Sequence, residues 1–452
     1  DGVNLWLGTS SDYLNVTSIP ASGLNRTTTS VHAGNGRDVL SINLIGSENQ
    51  GSLFVANGQG GDDVMDASGS SLPVILFGDG GTDSIIGGSG QDVLIGDYGL
   101  VFWIDGNEQI AARAGGGGHY DFTDGEERSI HRILAVYPNE TSQFDALITE
   151  DDDLLSRTDR VLGNGARDVI VGCGGEEDAL RGDEGSDIIL GDYGVIVFDV
   201  AAPNLLGLQR IETLNCAEGE GGGENYIEGN DGDDILMGGG DSQDHIEGNL
   251  GSDIAVGDCA SILFYPNYFI DSVTSTSTDV GKPDVLKMGG GDDIAIAGDG
   301  GDEIYGDTGR DILLGDSGEI SFYDAKLPRD GEDPTGYFWN VPHLIETISC
   351  AEGGGDRIYA GDGRDVVVGG GGEEDFLYGG EGSDIVLGDH GVIEFDWFDV
   401  AAPNLLGLQR IETLICAEDE AGGENYIEGN DGDDILLGGG DSQDYIEGNL
   451  GS

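Results

Sequence analysis

Aspartate recurs in this chain at the sixth position of a nine-residue phrase whose first, second and fourth positions favour glycine. Gly87-Gly88-Ser89-Gly90-Gln91-Asp92-Val93-Leu94-Ile95 is a clear copy, and the phrase before it, from Gly78, sets Asp83 and Ile85 at the same places. The register returns at Gly163, Gly182, Gly229, Gly248, Met288, Ala297, Gly306, Ala360, Gly379 and Gly429, with copies one residue longer from Gly172, Gly238, Gly369 and Gly438. Such a phrase offers hard oxygen donors. Its glycines reach positive φ and let backbone carbonyls converge, and its aspartate closes the turn with an anionic oxygen. Stacked turns of this kind build the flexible cage of six to eight oxygens that Ca²⁺ takes; Mg²⁺, with its smaller octahedron and tightly held water, fits less well.

The candidate ligands are the position-six residues Asp38, Asp63, Asp83, Asp92, Asp168, Asp187, Asp234, Asp253, Asp293, Asp302, Asp311, Asp356, Asp365, Asp384 and Asp434. In the longer copies Asp178, Asp244, Asp375 and Asp444 take the same role. Asn225 and Asn425 stand where aspartate is expected, which removes an anionic ligand at those two turns. This phrase resembles that of the haemolysin-type RTX calcium-binding repeats, and the likeness covers most of the chain. The resemblance implies a right-handed parallel β-roll in which each nonapeptide supplies a six-residue turn and a three-residue strand, two nonapeptides completing a coil. It also implies several bound Ca²⁺ ions as the cofactor.

The composition agrees with an ion-loaded fold. Among 452 residues are 88 acidic and 18 basic side chains, a formal charge of −70, and 84 glycines. A nucleic-acid binder needs a basic footprint, so that class is excluded. No apolar run approaches the 18 or so residues of a membrane-spanning helix. The 37% of hydrophobic residues recur in short regular bursts, unlike a disordered acidic tail. About 15 to 20 divalent ions would return some 30 to 40 positive charges, halving the acid excess.

A longer repeat lies above the nonapeptide. Runs of turns end in a capping phrase, Gly96-Asp97-Tyr98-Gly99, Gly191-Asp192-Tyr193-Gly194, Gly257-Asp258-Cys259, Gly315-Asp316-Ser317-Gly318 and Gly388-Asp389-His390-Gly391. An apolar strand follows each, then an irregular insertion and a return phrase such as Ile211-Glu212-Thr213. Residues 200–252 recur at 400–452 with five changes, as in a window cut from a longer repetitive protein. The expected organisation is a wider β-helix with coils of about 25 residues over 1–77, marked by Asp12, Asp38 and Asp63. RTX block 1 with its cap strand spans 78–104 and an insertion 105–162. Blocks 2 to 6 follow at 163–199, 220–259, 288–318, 351–391 and 420–452, the last one cut short. Arms at 200–219, 260–287, 319–350 and 392–419 separate them.

Strand alternation points position 8 inward and positions 7 and 9 outward. On one sheet the outward pairs are apolar, as in Val169/Val171, Ile188/Leu190, Ile254/Val256 and Ile385/Leu387. On the other they are mixed, as in Ala179/Arg181, Tyr226/Glu228, Glu303/Tyr305 and Arg357/Tyr359. A sheet apolar on both faces must be covered on both. The arms, each with its own apolar strand, are the favoured cover, and a second chain packed laterally is the alternative.

Other motifs carry less. Gly315-Asp316-Ser317-Gly318 has the look of a serine-protease nucleophile segment, yet it aligns with the other capping phrases. The six histidines lack the HExxH spacing of a zinc protease, so no catalytic residue and no enzyme is expected. Asn15, Asn25 and Asn139 head glycosylation sequons outside the regular turns. Cys216 lies 43 residues from both Cys173 and Cys259, which permits a disulfide without choosing one. The expected function is that of an all-β, calcium-binding extracellular structural or adhesive segment, secreted or at a cell surface, whose folding is driven by Ca²⁺ binding. The alternatives are a subunit of an extracellular filament, joined to copies of itself through the apolar sheet or the chain ends, and an accessory or secretion module of a larger RTX enzyme or adhesin.

Overall fold

The computed structural model describes residues 2–19, 28–45, 52–104, 110–115, 120–121, 129–135, 158–174, 177–199, 207–214, 222–240, 242–275, 281–323, 342–348, 353–395, 408–414, 423–439 and 443–449. All regular structure among them is β-strand. The chain divides into two compact units, residues 1–214 with 221–228, and residues 215–220 with 229–452. Each unit is built from the same three kinds of sheet.

In the first unit, one parallel sheet stacks Gly2–Trp6, Thr28–Asn35, Leu53–Gly60, Val74–Gly80, Val93–Ile95, Val169–Val171 and Ile188–Leu190. A second stacks Tyr13–Val16, Val39–Ile42, Val64–Asp66, Ser84–Ile86, Arg160–Gly165 and Glu177–Glu184. The chain alternates between the two, so each coil contributes a strand to both. Gly2 pairs with Thr28, Thr28 with Leu53, and Phe54 with Val74, so the step along the chain falls from 26 to 25 to 20 residues. It settles at 19 where Val169 pairs with Ile188. The wide N-terminal coils therefore narrow into the roll near Gly78, and they enter the same two sheets rather than a separate barrel.

The second unit repeats the plan. Ile235–Met237, Ile254–Val256, Ile294–Ile296, Ile312–Leu314, Val366–Val368, Ile385–Leu387 and Ile435–Leu437 form one parallel sheet. His245–Leu250, Val285–Gly290, Glu303–Gly309, Arg357–Gly363, Phe376–Gly382, Tyr426–Glu428 and Tyr445–Glu447 form the other. The position-8 residues meet between the sheets: Leu236, Ala255, Ala295 and Leu313 face Ile246, Leu286, Ile304 and Ile358, all fully buried. Burying a leucine or isoleucine side chain contributes roughly 1.5–3 kcal/mol. A coil offers two such inward positions between its parallel sheets, and the apolar sheet buries a further pair on its outer side.

The outer faces differ as their sequences require. The second kind of sheet is polar and half-exposed on its outer side. There Tyr305, Tyr359 and Tyr378 stack at centroid distances of 5.1 and 4.9 Å, and Tyr426 stacks on Tyr445 at 5.0 Å, the spacing of hydrogen-bonded neighbouring strands. The apolar sheet is buried at all three positions of nearly every three-residue strand; only Ile435–Leu437 is half-buried throughout.

Its cover is a third, antiparallel sheet made of the arms. In the first unit it holds Gly99–Ile104, Ile110–Gly115, Tyr120–Asp121, Ser129–Ala135, Gly194–Phe198 and Leu208–Thr213. In the second it holds Ala260–Phe264, Ile270–Ser275, Gly318–Phe322, Pro342–Thr347, Gly391–Phe395 and Leu408–Thr413. The hairpins share a register break just before Phe198, Phe264, Phe322 and Phe395, a bulge that twists and re-aims the strand. The first residue of each arm is pressed on the strand just left. A Cβ on Gly194, Gly318 or Gly391 would stand 2.6, 2.3 or 2.1 Å from the side chain of Leu190, Leu314 or Leu387. The chain thus covers its own apolar sheet, and lateral pairing of two chains through that face, the first route considered for a filament, is closed over these strands.

Position 4 holds Ala166 at φ 78° in one turn, but in the second unit its glycines form a column in which no side chain fits. Gly251, Gly291 and Gly309 have φ of 139°, 148° and 153°, and a Cβ on each would approach the carbonyl oxygen of Gly232, Gly251 or Gly291 to 1.7, 1.6 or 1.4 Å. Gly291→Ala should therefore destabilise the calcium-loaded protein by about 3 kcal/mol or more, from left-handed strain together with the clash. Gly448, where a Cβ would meet nothing within 4 Å, supplies the control. Thermal melts of the two alanine variants in calcium buffer check this, and equal melting temperatures would refute the column.

Candidate metal sites

The turns of each unit align their aspartates into two ladders, one along each edge of the roll. The first precedes the polar sheet. The amide N–H of each rung donates to Oδ1 of the aspartate one coil on: Asp12 to Asp38 (2.6 Å), Asp38 to Asp63 (2.7 Å), Asp63 to Asp83 (2.7 Å), Asp83 to Asp159 (2.7 Å) and Asp159 to Asp178 (2.8 Å). In the second unit it runs Asp244, Asp284, Asp302, Asp356, Asp375, Asn425 and Asp444, by bonds of 2.7 to 3.1 Å. The second ladder precedes the apolar sheet. It runs Asp92, Asp168 and Asp187 in the first unit, then Asp234, Asp253, Asp293, Asp311, Asp365, Asp384 and Asp434 in the second. All nineteen aspartates expected from the sequence lie on these two ladders.

Oδ1 is satisfied by the backbone at these rungs; Oδ2 of Asp92 accepts the Gly88 N–H at 2.6 Å, and at many other rungs Oδ2 has no partner. The Oδ2 atoms of Asp38, Asp63, Asp83, Asp168, Asp253, Asp293, Asp302, Asp311, Asp356, Asp365, Asp384 and Asp434 are buried without a hydrogen-bond partner. They point to where glycine leaves room. A Cβ on Gly163 would lie 2.5 Å from Asp168 Oδ2 and 2.7 Å from the carbonyl oxygen of Gly182, one coil on; on Gly248 the values are 2.4 Å to Asp253 Oδ2 and 2.7 Å to the Met288 carbonyl. Carboxylate and carbonyl oxygens thus converge turn after turn. Among the described residues no three carboxylate, imidazole or thiol groups gather at one point. A cation here would therefore draw on one or two aspartates and complete its shell with carbonyls, a donor set suited to Ca²⁺.

Electrostatics point the same way. Burial, with like charge one coil away, pushes Asp83, Asp253 and Asp311 up to about 9 and Asp168 up to about 10. Burial raises Asp92, Asp187, Asp293 and Asp365 to about 7. Buried carboxylates without counter-charge cannot all stay ionised.

A family model describing the RTX calcium-binding nonapeptide repeat, in four copies, matches residues 75–99, 221–242, 289–319, 351–373, 370–391 and 421–442. The chain carries RTX calcium-binding repeats. Comparison with curated proteins gave no match.

Around the RTX repeats the structure adds residues that the nonapeptide pattern missed. Asp159 and Asp284 are full ladder rungs, although neither follows a glycine-rich half-turn. In both, an arm separates the glycine half of the phrase, at Gly96 and Gly257, from its aspartate half. The surviving signal is an aspartate two residues before a core aliphatic, Asp159 before Val161 and Asp284 before Leu286. The aspartates of the capping phrases are buried as well: Asp97, Asp192, Asp258, Asp316 and Asp389 are at most 6% exposed.

The remaining candidates fall away from the ladders. Ser317 is buried and its hydroxyl donates to Asp299 Oδ1 at 2.9 Å, as part of a capping phrase. Cys173 is a buried free thiol and Cys259 is disulfide-bonded, so of the two partners considered for Cys216, Cys173 is not used. Cys216, Cys350 and Cys416 lie outside the described residues, as do Asn25 and Asn139. Asn15 is exposed, on the strand Tyr13–Val16. Among the described residues no helix is long and apolar enough to cross a membrane.

Proposed function

We propose that this chain is a non-catalytic, extracellular structural or adhesive solenoid whose roll is completed by Ca²⁺ bound between stacked turns. The observation that carries the reading is the row of buried, unpartnered Oδ2 atoms along both ladders. Asp38, Asp63, Asp83, Asp168, Asp253, Asp293, Asp302, Asp311, Asp356, Asp365, Asp384 and Asp434 would hold the ions with Oδ2, the adjacent turn carbonyls filling the shell. The bound ion supplies positive charge to ladders whose aspartate side chains present only oxygen. Because the ladder exists only once the coils are stacked, the energy of binding becomes energy of folding.

Compartment follows from affinity. Extracellular calcium modules bind at about 10⁻⁴ to 10⁻³ M, so a chain of this kind stays unfolded at low intracellular calcium and folds after export. The disulfide at Cys259 supports an oxidising location. The test is a calcium titration followed by calorimetry and by Stokes radius. Expected are many ions per chain, binding at sub-millimolar to millimolar calcium, with a large fall in radius over the same range. Binding of one or two ions without compaction would overturn the reading.

A further inference from the structure

The capping aspartates stand where an arm leaves the roll, and Asp192, Asp258, Asp316 and Asp389 reach across to the chain that comes back. Asp192 Oδ1 accepts the N–H of Gly223 at 3.2 Å, and Asp316 Oδ1 that of Gly354 at 3.3 Å. Asp316 Oδ2 accepts a further N–H from Gly371 on the next coil. Asp258 Oδ2 accepts the N–H of Asp299 at 2.7 Å, and a Cβ on the returning Gly281 would lie 2.5 Å from it. At these roots the cap side chain bridges a turn that the insertion has cut in two.

What the cap meets differs between roots. At two of them the returning ladder residue is asparagine, and its amide donates to the cap: Asn225 Nδ2 to Asp192 Oδ1 at 3.3 Å, and Asn425 Nδ2 to Asp389 Oδ1 at 2.8 Å. At two others the ladder residue is Asp284 or Asp356. These are 1% and 0% exposed, and their Oδ2 atoms have no hydrogen-bond partner. Both oxygens point at the glycine just before the cap: a Cβ on Gly257 would stand 2.2 Å from Asp284 Oδ2, and one on Gly315 2.0 Å from Asp356 Oδ2. Two carboxylates facing one another out of water need a positive group between them. The asparagine roots show what replaces it, an N–H donor in the ladder side chain.

We propose that the roots Asp258–Asp284 and Asp316–Asp356 each hold a calcium ion between cap and ladder carboxylates, and that the roots Asp192–Asn225 and Asp389–Asn425 are closed by the amide and hold none there. These four arms are then docked to the roll in two ways, two by a cation and two by a hydrogen bond. This rests on the calcium reading of the repeats and extends it to turns that an arm has split, with the cap aspartate as a second carboxylate ligand.

The test counts bound calcium on the 452-residue chain by equilibrium dialysis at saturating calcium. Asp284→Asn with Asp356→Asn copies the amide root. It keeps an Oδ1 for the N–H groups of Asp244 and Asp302, now at 2.7 and 2.8 Å. This pair should lose two ions per chain while keeping the β-sheet spectrum. Asn225→Asp with Asn425→Asp should gain two. Adding Asp192→Asn and Asp389→Asn to the gaining variant should cancel the gain.

Unchanged counts in the first two variants would overturn the proposal, since the carboxyl pairs would then share a proton instead. A loss in the first without a gain in the second would also overturn it, because only a repeat site would have been removed. So would a gain that survives removal of the caps. Should the first variant fail to fold, the second and third decide alone. A wild-type chain that binds no calcium would refute the calcium reading beneath, which separates the two failures.

Discussion

Removal of calcium by EGTA should abolish the β-sheet circular dichroism of this protein at neutral pH, and added calcium should restore it in full. The expectation follows from a comparison of magnitudes. Asp92, Asp187, Asp293 and Asp365 are held at about 7 by burial. Keeping each in an ion-free fold at neutral pH costs roughly 4 kcal/mol relative to a free carboxylate near 3.9. Four such groups alone match or exceed the 5–15 kcal/mol by which domains are usually stable, and Asp83, Asp168, Asp253 and Asp311 lie higher still. Against this stand two inward side chains per coil, an outer apolar pair covered by the arms, and strands of three residues. The cover itself depends on the coils being stacked, so the penalty falls on the whole assembly, the coils separate and the carboxylates return to water. A spectrum indifferent to chelation would sink the mechanism. A loss confined to part of the signal would limit calcium-dependent folding to part of the chain.

Most of the site was legible because its spacing is set by the coil. Intact turns keep glycine and aspartate within one phrase, so Asp234, Asp253 and Asp293 could be assigned to a common role before any coordinates, and each does donate to or accept from the next along one ladder. The longer turns ending at Asp178, Asp244, Asp375 and Asp444 fell into the same ladder despite their extra residue, because the strand after them fixes where the aspartate must sit. Legibility failed where the chain leaves the roll. Asp83 and Asp159 are neighbours in space at 2.7 Å and 76 residues apart in sequence, and no local pattern spans an arm. The role of the caps was hidden for the same reason. In sequence Asp316 is the end of a phrase, whereas in space it joins Gly354 and Gly371. The cover of the apolar sheet could be narrowed but not decided from composition, since arm or second chain would bury Val169 and Leu190 equally well. The contact of Gly194 with Leu190 assigns it to the arm. The tyrosine stack depended likewise on knowing that Tyr305 and Tyr359, separated by an arm, pair directly across the sheet.

Acid should partly replace calcium. In the ion-free roll the ladder carboxyls titrate above their unfolded value near 3.9, at about 6 for Asp384, about 7 for Asp293 and Asp365, and about 9 for Asp253 and Asp311. Folding then takes up protons. The stability those groups confer is complete below about pH 4 and is lost as pH climbs through roughly 6 to 9. The chelated protein, unfolded at pH 8, should therefore regain β-sheet signal toward pH 5, still above its isoelectric point near 4.1. In the presence of calcium the dependence reverses, because ion and proton compete for the same Oδ2. The midpoint of the calcium titration should move to higher concentration as pH falls, by up to about tenfold per unit for each proton displaced. Circular dichroism of the chelated chain between pH 5 and 8, with calcium midpoints at the same pH values, measures both trends. A chelated chain equally unfolded at both ends, with a midpoint that does not move, would mean that the buried oxygens neither hold protons nor give them up to the metal, and the ladders would have to be stabilised by something other than charge.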